Sequence, residues 1–228
     1  MVHEGFPADE VERWDGLYEP AGPKRRFGLF QASVQRRVLE RREQALALLG
    51  RASGGRLLDL ACGAGRFKDG ARQQGWKWMG LDRSSAMLRR PLGPEARPPL
   101  VQGDVRWLPW RGESAQGVLC VGILSYFRDQ LALKILAEIF RVLSTQGVAI
   151  VQTVRLDPLA YVRSRLPAWI PRPLRIPGPL YPRSMAALEQ LVRRAGLAPE
   201  RCVALTKFGG LPAATLLRAH KPERGAVR

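Results

Sequence analysis

The stretch Arg56-Leu-Leu-Asp-Leu-Ala-Cys-Gly-Ala-Gly-Arg66 reads as an apolar strand running into a glycine loop and then a helix. Gly63 and Gly65 let a ligand come close to the backbone there. Dinucleotide-binding loops look much the same, and a bare strand-to-helix turn also favours glycine. Two residues sharpen the reading. Lys68 stands where the GxGxxG fingerprint would place its third glycine. Asp59 sits at the end of the strand, where a carboxylate would repel a pyrophosphate but suits the ammonium group of a methionine moiety. The next apolar run, Trp76-Lys-Trp-Met-Gly-Leu-Asp82, ends in a second carboxylate. Asp82 is placed to accept from both hydroxyls of a ribose, or to cap a helix starting near Ser84-Ser85. Asp104, in Gly103-Asp104-Val105, is either an acceptor for an adenine amino group or an ordinary turn aspartate.

These residues need a frame to bring them together. Apolar runs at 56–61, 77–82, 117–122 and 147–154 predict strands, with a shorter one at 99–102. Helical patterns at 65–74, 84–90 and 130–144 separate them, which implies a parallel sheet with helices on both faces. A further helix is expected over 184–196, capped by Ser184 and ended by Gly196. Late strands at 201–207 and 213–220, joined through Gly209-Gly210, would form an antiparallel hairpin. Ahead of the sheet, residues 8–19 read as a short acidic helix and 27–49 as an amphipathic one with Arg36, Arg37, Arg41 and Arg42 largely outside its apolar stripe. At 228 residues the chain has room for one sizeable core. The expected organisation is an N-terminal helical lid over 1–50, one α/β domain over 51–222, and a tail over 223–228. Residues 156–182 depart from the pattern: seven prolines rule out regular structure over much of the segment. Leu159, Tyr161, Val162, Trp169 and Ile170 are nonetheless too apolar for a mere linker.

Four stretches, Leu57–Gly65, Gly80–Leu88, Gln102–Trp110 and Val118–Tyr126, resemble successive motifs of the class I S-adenosylmethionine (SAM) methyltransferases. The likeness is to the broad type 11 group, which includes the ubiquinone/menaquinone methyltransferases. It implies a Rossmann-like, seven-stranded, mostly parallel sheet with helices on both faces, the last strand antiparallel, and an N-terminal helical extension. It also implies SAM as cofactor. By resemblance Asp59, Gly63 and Gly65 serve the methionine end, Asp82 the ribose, and Asp104 with Val105 the adenine; Val121 lines the pocket. Ala61, at the family's usual first glycine, and Arg83, beside Asp82, complete the cofactor-binding set. N-terminal helices commonly cover the cofactor in this family. Trp14 and Tyr18 are therefore lid candidates, with simple packing the alternative.

Methyl transfer from a sulfonium is an in-line displacement, and orientation can supply most of its acceleration. No base stands out. Tyr126, with Arg128 and Asp129 nearby, is the one catalytic candidate and could equally be a wall residue. Cys120 lies inside a strand, which speaks against a covalent cysteine route. The Asn/Asp-Pro-Pro-aromatic signature of some amino-group methyltransferases is absent. With no CxxC spacing and with His3 and His220 near the two ends, no metal site is expected.

The acceptor has to be read from charge and shape. The formal charge is +17, and arginine supplies 31 of the 37 basic residues, a bias that a GC-rich genome alone can produce. Charge therefore ranks partners without choosing one. In 156–182, Trp169 and its apolar neighbours with Arg163, Arg165, Arg172 and Arg175 suit an amphiphile with an acidic group. Tyr18, Tyr126 and Trp169 are the substrate candidates. A small or lipid-like acceptor is the first reading, with peripheral contact at a membrane. RNA held through phosphates is the alternative, and a non-catalytic SAM-binding scaffold ranks third. Met1–Glu10 lacks the pattern of a secretory signal, so a cytoplasmic location is expected.

Overall fold

The computed structural model describes residues 28–89, 99–155, 162, 165–166, 180–206 and 212–223. The expected helix at 8–19, Trp14, Tyr18, Trp169 and most of 156–182 lie outside the described residues.

The chain order is α1 (Gly28–Leu49), β1 (Arg56–Leu60), α2 (Lys68–Gln73), β2 (Lys77–Asp82), α3 (Ser85–Leu88), β3 (Leu100–Gln102), β4 (Ala115–Cys120), a 3-10 turn (Leu124–Tyr126), α4 (Asp129–Val142), β5 (Leu143–Val154), α5 (Met185–Arg194), β6 (Ala198–Thr206) and β7 (Pro212–His220). The strands form one seven-stranded sheet in the order β3-β2-β1-β4-β5-β7-β6. β1 pairs parallel with β2 and β4, and β7 runs antiparallel to both β5 and β6. The fold class is therefore the one expected.

Period-two alternation divides the core between the two faces. Leu58 and Leu60 point to the face packed by α4 and α5, with Ile135, Leu136, Ile139, Leu188 and Val192. Leu57 points to the opposite face, with Ala45, Leu46 and Leu49 of α1, Phe67, and the indoles of Trp76 and Trp78. Asp59 shares that second face by register.

Two glycines make room for the indoles. A Cβ at Gly117 would lie 2.9 Å from Trp76 Cζ3 and 2.8 Å from Leu57 Cδ1. One at Gly80 would lie 2.6 Å from Trp78 Cη2. Trp76 then donates its Nε1–H to Gly50 O at 2.8 Å, closing the entry to β1. Arg218 of β7 donates to Leu48 O at 2.6 Å and Leu49 O at 3.2 Å, satisfying the open carbonyls at the end of α1.

Several boundaries differ from the sequence reading. α2 begins at Lys68 rather than 65, because Gly63 and Gly65 take φ of +54° and +65° and hold the chain in turns. β5 begins at Leu143, directly at the end of α4, although Ser144, Thr145 and Gln146 carry no apolar signal. β6 begins at Ala198 and contains Pro199, which is tolerated because β6 is an edge strand. No helix among the described residues is long and apolar enough to cross a membrane.

Candidate active site

A cavity of about 460 Å³ opens at the carboxyl ends of β1, β2 and β4, beside the turn that follows β3. This is the edge of an open α/β sheet where ligands bind, because parallel strands present their loops together there. Asp59, Ala61, Gly63, Asp82, Arg83, Asp104, Val105, Val121 and Tyr126 all line it. Gly65 does not; it is buried behind the wall and shapes the turn.

Asp59 is 2% exposed, and its Oδ2 accepts from Trp78 Nε1 at 3.0 Å. Burial pushes its carboxyl up to about 7, against the pull of the Trp78 hydrogen bond; the Asp82 charge adds to the rise and Arg66 opposes it. A carboxyl this short of charge partners is poised for a cation from a ligand, since an ammonium beside it would favour the ionised form.

Asp82 spans two segments of the wall. Its Oδ2 accepts from Gly63 N at 2.7 Å and its Oδ1 from Ser84 N at 2.9 Å. The helix cap is Ser84, whose Oγ accepts from Met87 N at 3.1 Å, so capping is not the task of Asp82. The carboxylate instead fastens the glycine loop to the tip of β2 and faces the cavity between them.

Ala61 takes φ of +57°, in the left-handed region that costs a side-chain-bearing residue about 1 kcal/mol or more. Ala61→Gly is therefore expected to raise stability by up to about 1 kcal/mol, part of the relief being offset by the freedom glycine gains when unfolded. Thermal melting checks this; a lower Tm than wild type would mean that the methyl group packs usefully.

Asp104 is bound by its neighbour. Its Oδ1 accepts from Arg106 N at 2.9 Å and Nε at 3.0 Å, and its Oδ2 from Arg106 Nη2 at 2.7 Å. Burial pushes its carboxyl up, but the hydrogen bonds and charge of Arg106, helped by Arg83, outweigh that and hold it below the ordinary value. Asp104 thus stays ionised and fixed in orientation, with Arg83 Nη1 at 3.9 Å.

The remaining wall is not visible in the sequence. Val38 and Arg41 reach it from α1, Phe67 and Met87 from beside α2 and within α3, and Ile123 and Phe127 from the loop after β4. Three carboxylates thus share the lining with Val38 and Arg41 of α1 and with side chains of the 123–127 loop. Cys120 is fully buried with its thiol pushed up to about 12 by burial and the Asp59 charge, so it offers no thiolate.

The fold finds counterparts in known proteins. Residues 58–151 match the family described as methyltransferase domain, type 11. A chain from the complex between the Haloferax volcanii Trm112 methyltransferase activator and its methyltransferase is similar in structure, with a TM-score of 0.69, 19% identity, and coverage of 93% of this chain and 98% of that one. A SAM-dependent methyltransferase from Mesorhizobium loti gives 0.62 at 21% identity, over 78% and 96% of the two chains. Magnesium protoporphyrin IX methyltransferase from Synechocystis, solved with bound S-adenosylhomocysteine (SAH), gives 0.67 at 16% identity, over 94% and 95%. Among curated proteins no sequence match is found. With the family match falling on the strands and loops that build the cavity, residues 58–151 form a methyltransferase domain of the SAM-dependent kind, carried on the fold of the class I methyltransferases.

Proposed function

We propose that the methyl acceptor is a small or lipid-like molecule, and that the cavity divides into a cofactor half and an acceptor half. In the cofactor half Asp59 takes the methionine ammonium, Asp82 the ribose hydroxyls, and Asp104 with Val105 the adenine edge, with Ala61, Gly63 and Arg83 completing the cradle. The donor supplies an electrophilic methyl group, and the protein's task is to orient the acceptor in line with it. The acceptor half is bounded by Val38 and Arg41 of α1 and by Ile123, Tyr126 and Phe127.

One observation carries this reading: Val38, Ile123, Tyr126 and Phe127 give the lining an apolar part beside Arg41, and the cavity volume is that of a site for small ligands. Such a wall suits an apolar acceptor with a single acidic group. An RNA backbone would call for several cations in a row.

The enzyme, incubated with methyl-labelled SAM and cell lysate, is expected to label the small-molecule or lipid fraction. Label concentrated in RNA would overturn the acceptor class. The composition of 156–182 extends the proposal to peripheral membrane contact, since burial of Trp169 and Ile170 together with basic charge would hold an anionic surface. Trp169→Ser with Ile170→Ser should weaken binding to anionic liposomes while weak, salt-labile binding to a structured RNA stays unchanged. Tight RNA binding indifferent to the pair would sink the lipid reading.

A further inference from the structure

The loop that walls the acceptor half is held from outside. Arg183 is 5% exposed although it carries a full charge. Its Nη2 donates to Phe127 O at 2.6 Å, its Nη1 to Leu124 O and Tyr181 O, each at 3.2 Å, and its Nε to Asp129 Oδ1 at 2.9 Å. The backbone adds to the same seam. Tyr181 N donates to Ser125 O at 2.7 Å, Arg183 N to Val154 O at 3.0 Å, and Val154 N to Ser125 Oγ at 2.8 Å. The carbonyls of Leu124, Ser125 and Phe127 are therefore all met by residues 181–183. Tyr126 and Phe127, on that loop, face the cavity.

We propose that Arg183 is a positioning residue that couples the end of the Pro/Arg-rich segment to the loop presenting Tyr126 and Phe127 to the acceptor. This rests on reading that side of the cavity as the acceptor half. Arg183 touches none of the cavity itself; it acts through the loop. The planar fork of guanidinium donors is what reaches four separated acceptors at once, and a lysine ammonium keeps the charge without that geometry.

The test uses full-length enzyme grown with 3-fluorotyrosine and saturated with SAH. Its fluorine spectrum holds signals from four tyrosines, and Tyr126 is assigned by the one lost in Tyr126→Phe. In Arg183→Lys the Tyr126 signal should shift or broaden while SAH affinity stays within about twofold, the additivity expected of distant sites. An unmoved Tyr126 signal in folded Arg183→Lys overturns the proposal. So does a large loss of SAH affinity at unchanged Tm, because the clamp would then serve the cofactor half. Failure of the wild type itself to bind SAH would instead count against the cofactor assignment. If Arg183→Lys does not fold, Asp129→Ala removes only one partner, whose side chain is 71% exposed, and should still perturb the Tyr126 signal; no change there overturns the proposal.

Discussion

Asp82→Asn should bind SAH about as poorly as Asp82→Ala, both roughly a hundredfold weaker than wild type. The usual expectation is that an amide, nearly the same shape as the carboxylate, is the mild substitution. Here both carboxylate oxygens already accept from backbone N–H groups, Gly63 at 2.7 Å and Ser84 at 2.9 Å. An amide has one oxygen, so its NH₂ must face one of those donors. Either the glycine loop or the start of α3 loses its tether, and the proposed ribose contact loses a charged acceptor as well. Hydrogen bonds to charged groups contribute about 1.5–3 kcal/mol each, and losing two at the low end of that range, about 3 kcal/mol, gives the hundredfold figure. Calorimetric titration with SAH measures it. An Asn variant that binds like wild type would remove Asp82 from the cofactor site.

Asp59→Asn is expected to move stability and affinity in opposite directions. The folded carboxyl titrates near 7, well above its ordinary 3.8, chiefly because it is buried. A raised folded value means that the contribution of Asp59 to stability is fully present below about pH 4, is lost as pH rises from 4 to 7, and stays lost above. A shift of that size corresponds to about 4 kcal/mol. Asparagine keeps an oxygen for Trp78 Nε1 and never ionises, so the ligand-free variant should melt higher than wild type at pH 8 and alike near pH 4. An ammonium ligand prefers the ionised form. Wild-type affinity for SAH should therefore rise roughly tenfold between pH 6 and 8, while the variant binds weakly and shows no such rise. Equal Tm values at pH 8, or an unchanged pH profile of binding, would contradict the burial argument.

The frame is legible in the sequence because parallel strands buried on both faces are written as short apolar runs. The strand ends that break the pattern do so for local reasons: Ser144 to Gln146 extend β5 without an apolar signal, and Pro199 sits in a strand only because that strand is an edge. Asp59, Asp82 and Asp104 can be placed together because each follows an apolar run, and the carboxyl tips of parallel strands share one edge of the sheet. Their partners cannot. Nothing in the spacing says that Trp78 reaches back to Asp59, or that Arg106 reaches both oxygens of Asp104. Arg183 is hidden more deeply, one arginine among 31, at the end of a segment whose prolines suggest irregular chain. Its role depends on contacts with residues 56 and 59 positions away in sequence. The loop glycines are only half legible: Gly63 faces the cavity, whereas Gly65 is buried in the turn with a positive φ.

Whether this cavity holds a methyl donor or a dinucleotide is decided by titration calorimetry of the wild-type enzyme with SAH and, separately, with NAD at pH 8. Saturable one-to-one binding of SAH is expected, with no measurable heat from NAD, because the buried Asp59 carboxylate attracts an ammonium and repels a pyrophosphate. NAD binding that rivals SAH, or no SAH binding by folded protein, would contradict the assignment of the cavity.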